Sequence, residues 1–169
     1  MPVTCVFLSS FFILFLISPV KSVQTHPFLI VNSSDYSVLQ SRSLESPWAE
    51  MKSLAISDIN NLNYDYSLSI KDKSYRMRDI VSSGSLAYIL DPVNKLNYKN
   101  KIRDALLNWD DIYNNLSCNN WVSVVPPGTA FFESTLALDI IYNDLTTTEI
   151  NLIENKLKKV GDWFYSNTD

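Results

Sequence analysis

The sequence holds a single histidine, His26, and it is the first group to weigh as a general base. It stands beside Pro27 and four residues from a processing point argued below, a position that reads as structural or exposed rather than basic in a reaction. Glu133 and Asp139 lie six apart on an expected helix, so they do not face together as a carboxylate pair. Asp110-Asp111 reads as surface charge at a helix end. There is no Ser-His-Asp set, no cluster with metal-ligand spacing and no phosphate-binding glycine loop. No catalytic residue is assigned, and neither a metal nor a cofactor is expected.

Binding chemistry has more to draw on. Between Lys71 and Arg103 the chain carries Lys71, Lys73, Arg76, Arg78, Lys95, Lys99, Lys101 and Arg103 against only Asp72, Asp79 and Asp91. A local basic field attracts an acidic polymer even when the whole chain is acidic. Asn120 and Trp121, like Tyr64 and Tyr66, fall in expected loops, where an aromatic face stacks on a sugar ring. The candidate substrate-binding set is therefore Asn120, Trp121, Lys99, Lys101 and Arg103, with an acidic polysaccharide as partner. The plainer reading keeps the charges on solvated helix faces and the tryptophan as a half-buried anchor. Overall acidity, at a formal net charge of −4, argues against nucleic acid.

The N-terminus sets the expected compartment. Val3 to Ile17 is almost wholly apolar yet short for a membrane span. Ser18-Pro19 and Val20-Lys21-Ser22 then supply small residues of the kind a signal peptidase reads, so residues 1–22 are read as a secretory signal peptide, with no membrane attachment after cleavage. Secretion removes Cys5 and leaves Cys118 without an internal partner. It also gives meaning to two glycosylation acceptor triplets, Asn32-Ser33-Ser34 and Asn115-Leu116-Ser117.

The elements that must position these groups are helices. Only three glycines occur, and alternating strand patterns are missing, so residues 23–169 are read as one all-α domain. A short helix is expected from about Ser33 to Leu44. The next starts at Ser46-Pro47 and buries Trp48, Met51, Leu54, Ala55 and Ile59. Residues 60–69 read as a loop, and a third helix runs from about Tyr75 to Leu90, ended by Asp91-Pro92. A fourth starts near Tyr98 and carries Ile102, Ala105, Leu106, Trp109 and Tyr113 on one side. After a connection over 114–128, one helix runs from about Thr129 to Asn143. The last opens with Thr146-Thr147-Thr148-Glu149, a capping box, and shows an apolar stripe at Ile150, Ile153, Leu157, Val160 and Phe164. Trp48, Trp109 and Trp163 fall on apolar stripes and are expected in the core.

Three segments resemble a known family in order and spacing. HPFLIV, a short helix and SPWAEM resemble the opening of the heparinase II/III-like and alginate-lyase-like polysaccharide lyases. SLAYILDPVNKLNYKNKIRDALLNW resembles their next helical segment. FFESTLALDIIYNDLTTTEINLIENKL resembles a third, with Leu138-Asp139 where the family often has Tyr-Asp. The resemblance spans about Thr25 to Phe164. It implies part of an (α/α) toroid, a ring of helical hairpins, in an enzyme that cleaves uronate-containing glycans by β-elimination. The family's catalytic Asn-His and Tyr segments follow the portion matched, so this chain is expected to be non-catalytic alone and to lack further C-terminal domains. Two other readings stand beside it: a glycan-binding remnant, and an unrelated secreted helical protein with a protein partner.

Overall fold

The computed structural model describes residues 25–167, so the apolar N-terminus, the expected signal cleavage after Ser22 and Cys5 lie outside the described residues. Within that range the chain is all-α, with helices α1 (Tyr36–Arg42), α2 (Trp48–Asn61), α3 (Ile70–Leu90), α4 (Lys95–Leu106), α5 (Trp109–Tyr113), α6 (Val125–Ile141) and α7 (Thr147–Asn167). No strand occurs among the described residues. No helix there is long and apolar enough to cross a membrane.

Helix ends follow from local chemistry. The capping box at α7 forms as expected: the Glu149 N–H donates to Thr146 Oγ1 at 3.2 Å, and the Thr146 N–H donates to Glu149 Oε2 at 2.8 Å. α3 starts at Ile70, five residues before the expected Tyr75, because Ser69 caps it. Its hydroxyl accepts from the Asp72 N–H at 3.2 Å and donates to the Asp72 carboxylate at 2.7 Å. α6 starts at Val125 rather than Thr129. Pro126 and Pro127 fall in its first turn, where the missing N–H costs nothing. The single helix expected through Tyr113 is two, since the chain turns at Leu107-Asn108 before Trp109 enters the core.

The helices pack around α3, which touches α1, α2, α4, α5 and α6. α3 and α6 run side by side in the same direction: Lys71 at the start of α3 lies over Trp121 just ahead of α6, and Tyr88 near its end bonds Asp144 just beyond α6. α4 and α5 return antiparallel to α3, with Ile102 against Gly84 and Lys73 paired to Asp111 at 2.8 Å. α7 returns antiparallel to α6, with Gly161 against Phe131 and Gly128 against Phe164. It lies alongside α4 and α5, where Arg103 meets Glu149 and Lys156 meets Asp110. α2 crosses the C-terminal half of α3, with Ile59 beside Gly84.

Two expectations about burial need correction. Trp48, Met51 and Leu54 were placed on the buried face of α2, yet Trp48 is 50% and Leu54 63% exposed, and Met51 is also largely open. Only Ala55 and Ile59 of that stripe reach the core, because the C-terminal turns of α2 are the ones that lie on α3. Of the three tryptophans expected inside, Trp109 is fully buried and Trp163 half-buried. The stripe of α7 is covered: Ile153, Leu157 and Val160 are buried, and Phe164 packs against Phe131.

Gly84 sits at the closest helix approach. A Cβ there would lie 2.7 Å from Ile102 Cγ1 and 3.3 Å from Ile59 Cδ1, both in fully buried side chains. Alanine would gain up to about 1 kcal/mol of helix propensity, but forcing a methyl into a filled core costs about 1–3 kcal/mol. Gly84→Ala is therefore expected to lower stability by up to about 2 kcal/mol in urea denaturation.

Candidate functional site

Asp139, two residues before the end of α6, is a buried carboxylate, only 4% exposed. A carboxylate near a helix C-terminus faces the negative end of the helix dipole, so it needs donors. Residues 26–29 supply them. His26 Nδ1 lies 2.5 Å from Asp139 Oδ1, and the N–H groups of Phe28 and Leu29 donate to Oδ2 at 2.9 and 3.0 Å. A carboxylate only accepts, so Nδ1 carries the hydrogen. Asn143 Nδ2 donates to the His26 carbonyl at 2.6 Å, and the Tyr142 ring stacks on the imidazole at 3.8 Å. His26 is thus a clasp that ties the N-terminal segment to α6.

A carboxylate on Nδ1 is also how a catalytic imidazole is oriented. His26 lines neither of the two cavities described below. Beside the clasp lies a second polar group. The Tyr88 hydroxyl donates to Asp144 at 2.8 Å, and the Lys95 ammonium reaches the same carboxylate at 3.1 Å. Burial alone would raise the Asp144 carboxyl, but Tyr88, Lys95 and Lys99 outweigh it and hold it below the usual range. The Asp144 contribution to stability is therefore present at neutral pH and lost as the pH falls through its lowered value. Tyr36 is pushed up to about 12, first by burial and then by Tyr88, and its hydroxyl is unpartnered among the described residues.

The candidate substrate-binding residues fall into three groups: Lys99 and Arg103 beside Glu149, Lys101 in a pocket wall with Tyr64 and Tyr66, and Asn120 with Trp121 at the turn before α6. Lys101 Nζ donates to the carbonyls of Ile59, Asn60 and Leu62 at 2.6, 3.1 and 3.2 Å, closing the C-terminus of α2. Arg103 pairs with Asp104 at 2.7 Å and Glu149 at 3.4 Å. Lys99 lies close enough to Asp144 and Glu149 to help lower both carboxyls. Elsewhere in the basic stretch, Arg78 pairs with Asp79 and Lys73 with Asp111. Much of that expected basic field is thus neutralised internally. Asn120 caps the short turn Trp121–Ser123 through its Oδ1, which accepts from the Ser123 N–H at 3.1 Å. Trp121 is 57% exposed, with the Lys71 ammonium 5.8 Å from its ring centroid, at the far end of α3 from Lys101.

Tyr64 and Tyr66 meet edge to face at 5.2 Å. They border a pocket of about 250 Å³ together with Asp104 and Asn108. Their hydroxyls already bond Asp111 and Asn108, at 3.1 and 2.6 Å. Asn32 and Asn115 of the two acceptor triplets are exposed, and Asn115 Nδ2 donates to the Asp111 carbonyl at 2.8 Å. Cys118 is a free, exposed thiol. No group of three or more His, Cys, Asp or Glu able to hold a metal occurs among the described residues. Sequence reasoning set Asp139 aside as half of a failed carboxylate pair. Its partners lie more than 100 positions away, so no local spacing could have revealed them.

A scan against protein-family models and a search of curated proteins return no match.

Two substitutions test these assignments. Asp139→Ala leaves two backbone N–H groups and an imidazole without their acceptor, and should cost about 2–4 kcal/mol. Limited proteolysis should then cut near residues 26–31 before any helix is cleaved. Lys101→Met removes the ammonium that satisfies three carbonyls, and should cost about 1–2 kcal/mol in thermal denaturation.

Proposed function

We propose that this chain is a helical portion of the toroid of a secreted, uronate-cleaving polysaccharide lyase, acting as scaffold and supplying no catalytic base of its own. The observation that carries this reading is the His26–Asp139 clasp. It joins two of the three segments that resemble the lyases: the His-Pro opening and the helix with Asp139 at the family's Tyr-Asp position. The helix directions support it as well, since α3 and α6 share one direction and α4, α5 and α7 the other, as in a ring of hairpins. In this reading the Asp139 contact at Nδ1 gives His26 a positioning role, and proton abstraction next to a uronate carboxylate falls to groups outside this chain.

A second reading, glycan binding without cleavage, draws support from Trp121 alone. An exposed indole beside an ammonium suits the face and charge of an acidic sugar.

The purified chain, incubated with alginate, heparin, heparan sulfate and hyaluronan, is expected to release no unsaturated uronate by ultraviolet absorbance. A rise that His26→Ala abolishes would overturn the scaffold role. Salt-sensitive retention on a glycan column, lost in Trp121→Ala, would favour the second reading.

A further inference from the structure

One stripe of α3 borders both the core and a cavity. Ser82, Ser85, Leu86 and Ile89, spaced as one helical stripe, form a wall of a cavity of about 390 Å³. α6 and α1 supply further walls, and the exposed Trp48 and Met51 of α2 stand at its side. This volume lies within the range of small-molecule sites, roughly 300–1,000 Å³, and the lining is overwhelmingly apolar.

Ser85 departs from that lining. It is 7% exposed, sits mid-stripe, and its hydroxyl has no hydrogen-bond partner among the described residues. The other serines of the cavity wall are satisfied by backbone: Ser82 Oγ donates to the Arg78 carbonyl at 2.8 Å and Ser43 Oγ to the Gln40 carbonyl at 2.7 Å. A buried hydroxyl left unmet is costly, and of the four such polar atoms among the described residues, with Tyr36 Oη, Trp109 Nε1 and Ser134 Oγ, only that of Ser85 belongs to the cavity wall. The charged residues of the lining, Arg42 and Glu133, are of opposite sign and give the wall no net formal charge.

We propose that this cavity binds an uncharged, largely aliphatic small molecule carrying one hydroxyl or carbonyl group, and that Ser85 recognises that group. The apolar walls take the body of the ligand, and the Ser85 hydroxyl gives or accepts the single hydrogen bond. This inference rests on the cavity alone and stands apart from the lyase reading.

The test is fluorescence titration of the full chain with N-phenylnaphthylamine, followed by displacement with decanol, decanone, decane and decanoate. The probe should brighten on binding, and decanol and decanone should displace it at about threefold to tenfold lower concentration than decane, the worth of one net hydrogen bond. Ser85→Ala should still take up the probe but lose that preference. Ile140→Trp, which fills the cavity, should abolish probe binding, with folding checked by circular dichroism. If that variant does not fold, Ser85→Ala decides the matter. No brightening with the native chain, a preference unchanged in Ser85→Ala, or tighter displacement by decanoate than by decanol would each overturn the proposal. So would a dimer in sedimentation that the probe dissociates, since the groove would then belong to a second copy.

Discussion

The close approach of α2, α3 and α4 at Gly84 is the constraint from which the remaining packing follows. Ile102 and Ile59 occupy the space that a side chain would need, and both are fully buried there. Because α4 and α2 approach so tightly, α3 is enclosed around its C-terminal half, where Val81, Ala87, Tyr88, Ile89 and Leu90 are all buried. A helix enclosed in this way carries its neighbours: α6 lies along it in parallel, and α7 closes over α6 and α5. Close packing of this kind is felt at the level of single methyl groups, which is why one glycine has such influence.

Polar groups in this protein mostly serve the fold. Asp139, Lys101 and Asn120 each satisfy backbone groups that helix ends or chain reversals leave over. A carboxylate buried near a helix C-terminus is tolerated because three donors converge on it. Lys101 is half-buried because three carbonyls await it. The consequence for function is direct: the side chains with the most suggestive chemistry are engaged internally, while an apolar cavity with one unmet hydroxyl remains open.

How far the chain could be read without its fold depended on the range of each interaction. The capping box at Thr146 and Glu149 and the stripe of α7 need residues three to seven positions apart, and both appear as expected. The early start of α3 was equally local, written in Ser69 and Asp72, but the surrounding Asn- and Tyr-rich run suggested a loop. The stripe of α2 misled for a different reason. Apolar spacing shows which residues share a face; it does not show how much of that face a neighbour covers, and Trp48 and Leu54 stay exposed.

By itself, the sequence determined the helical class, some helix ends, such as those at Leu90 and Thr147, and the placement of Trp109 on a core-facing stripe, because these depend on caps, prolines and a short repeat. Only the tertiary structure decided that His26 meets Asp139, that Lys101 and Arg103 turn inward, and that Ser85 lies unmet in a cavity wall. Each of those outcomes depends on which helices lie side by side. That is settled by burial and close packing between distant segments, and no local spacing encodes it.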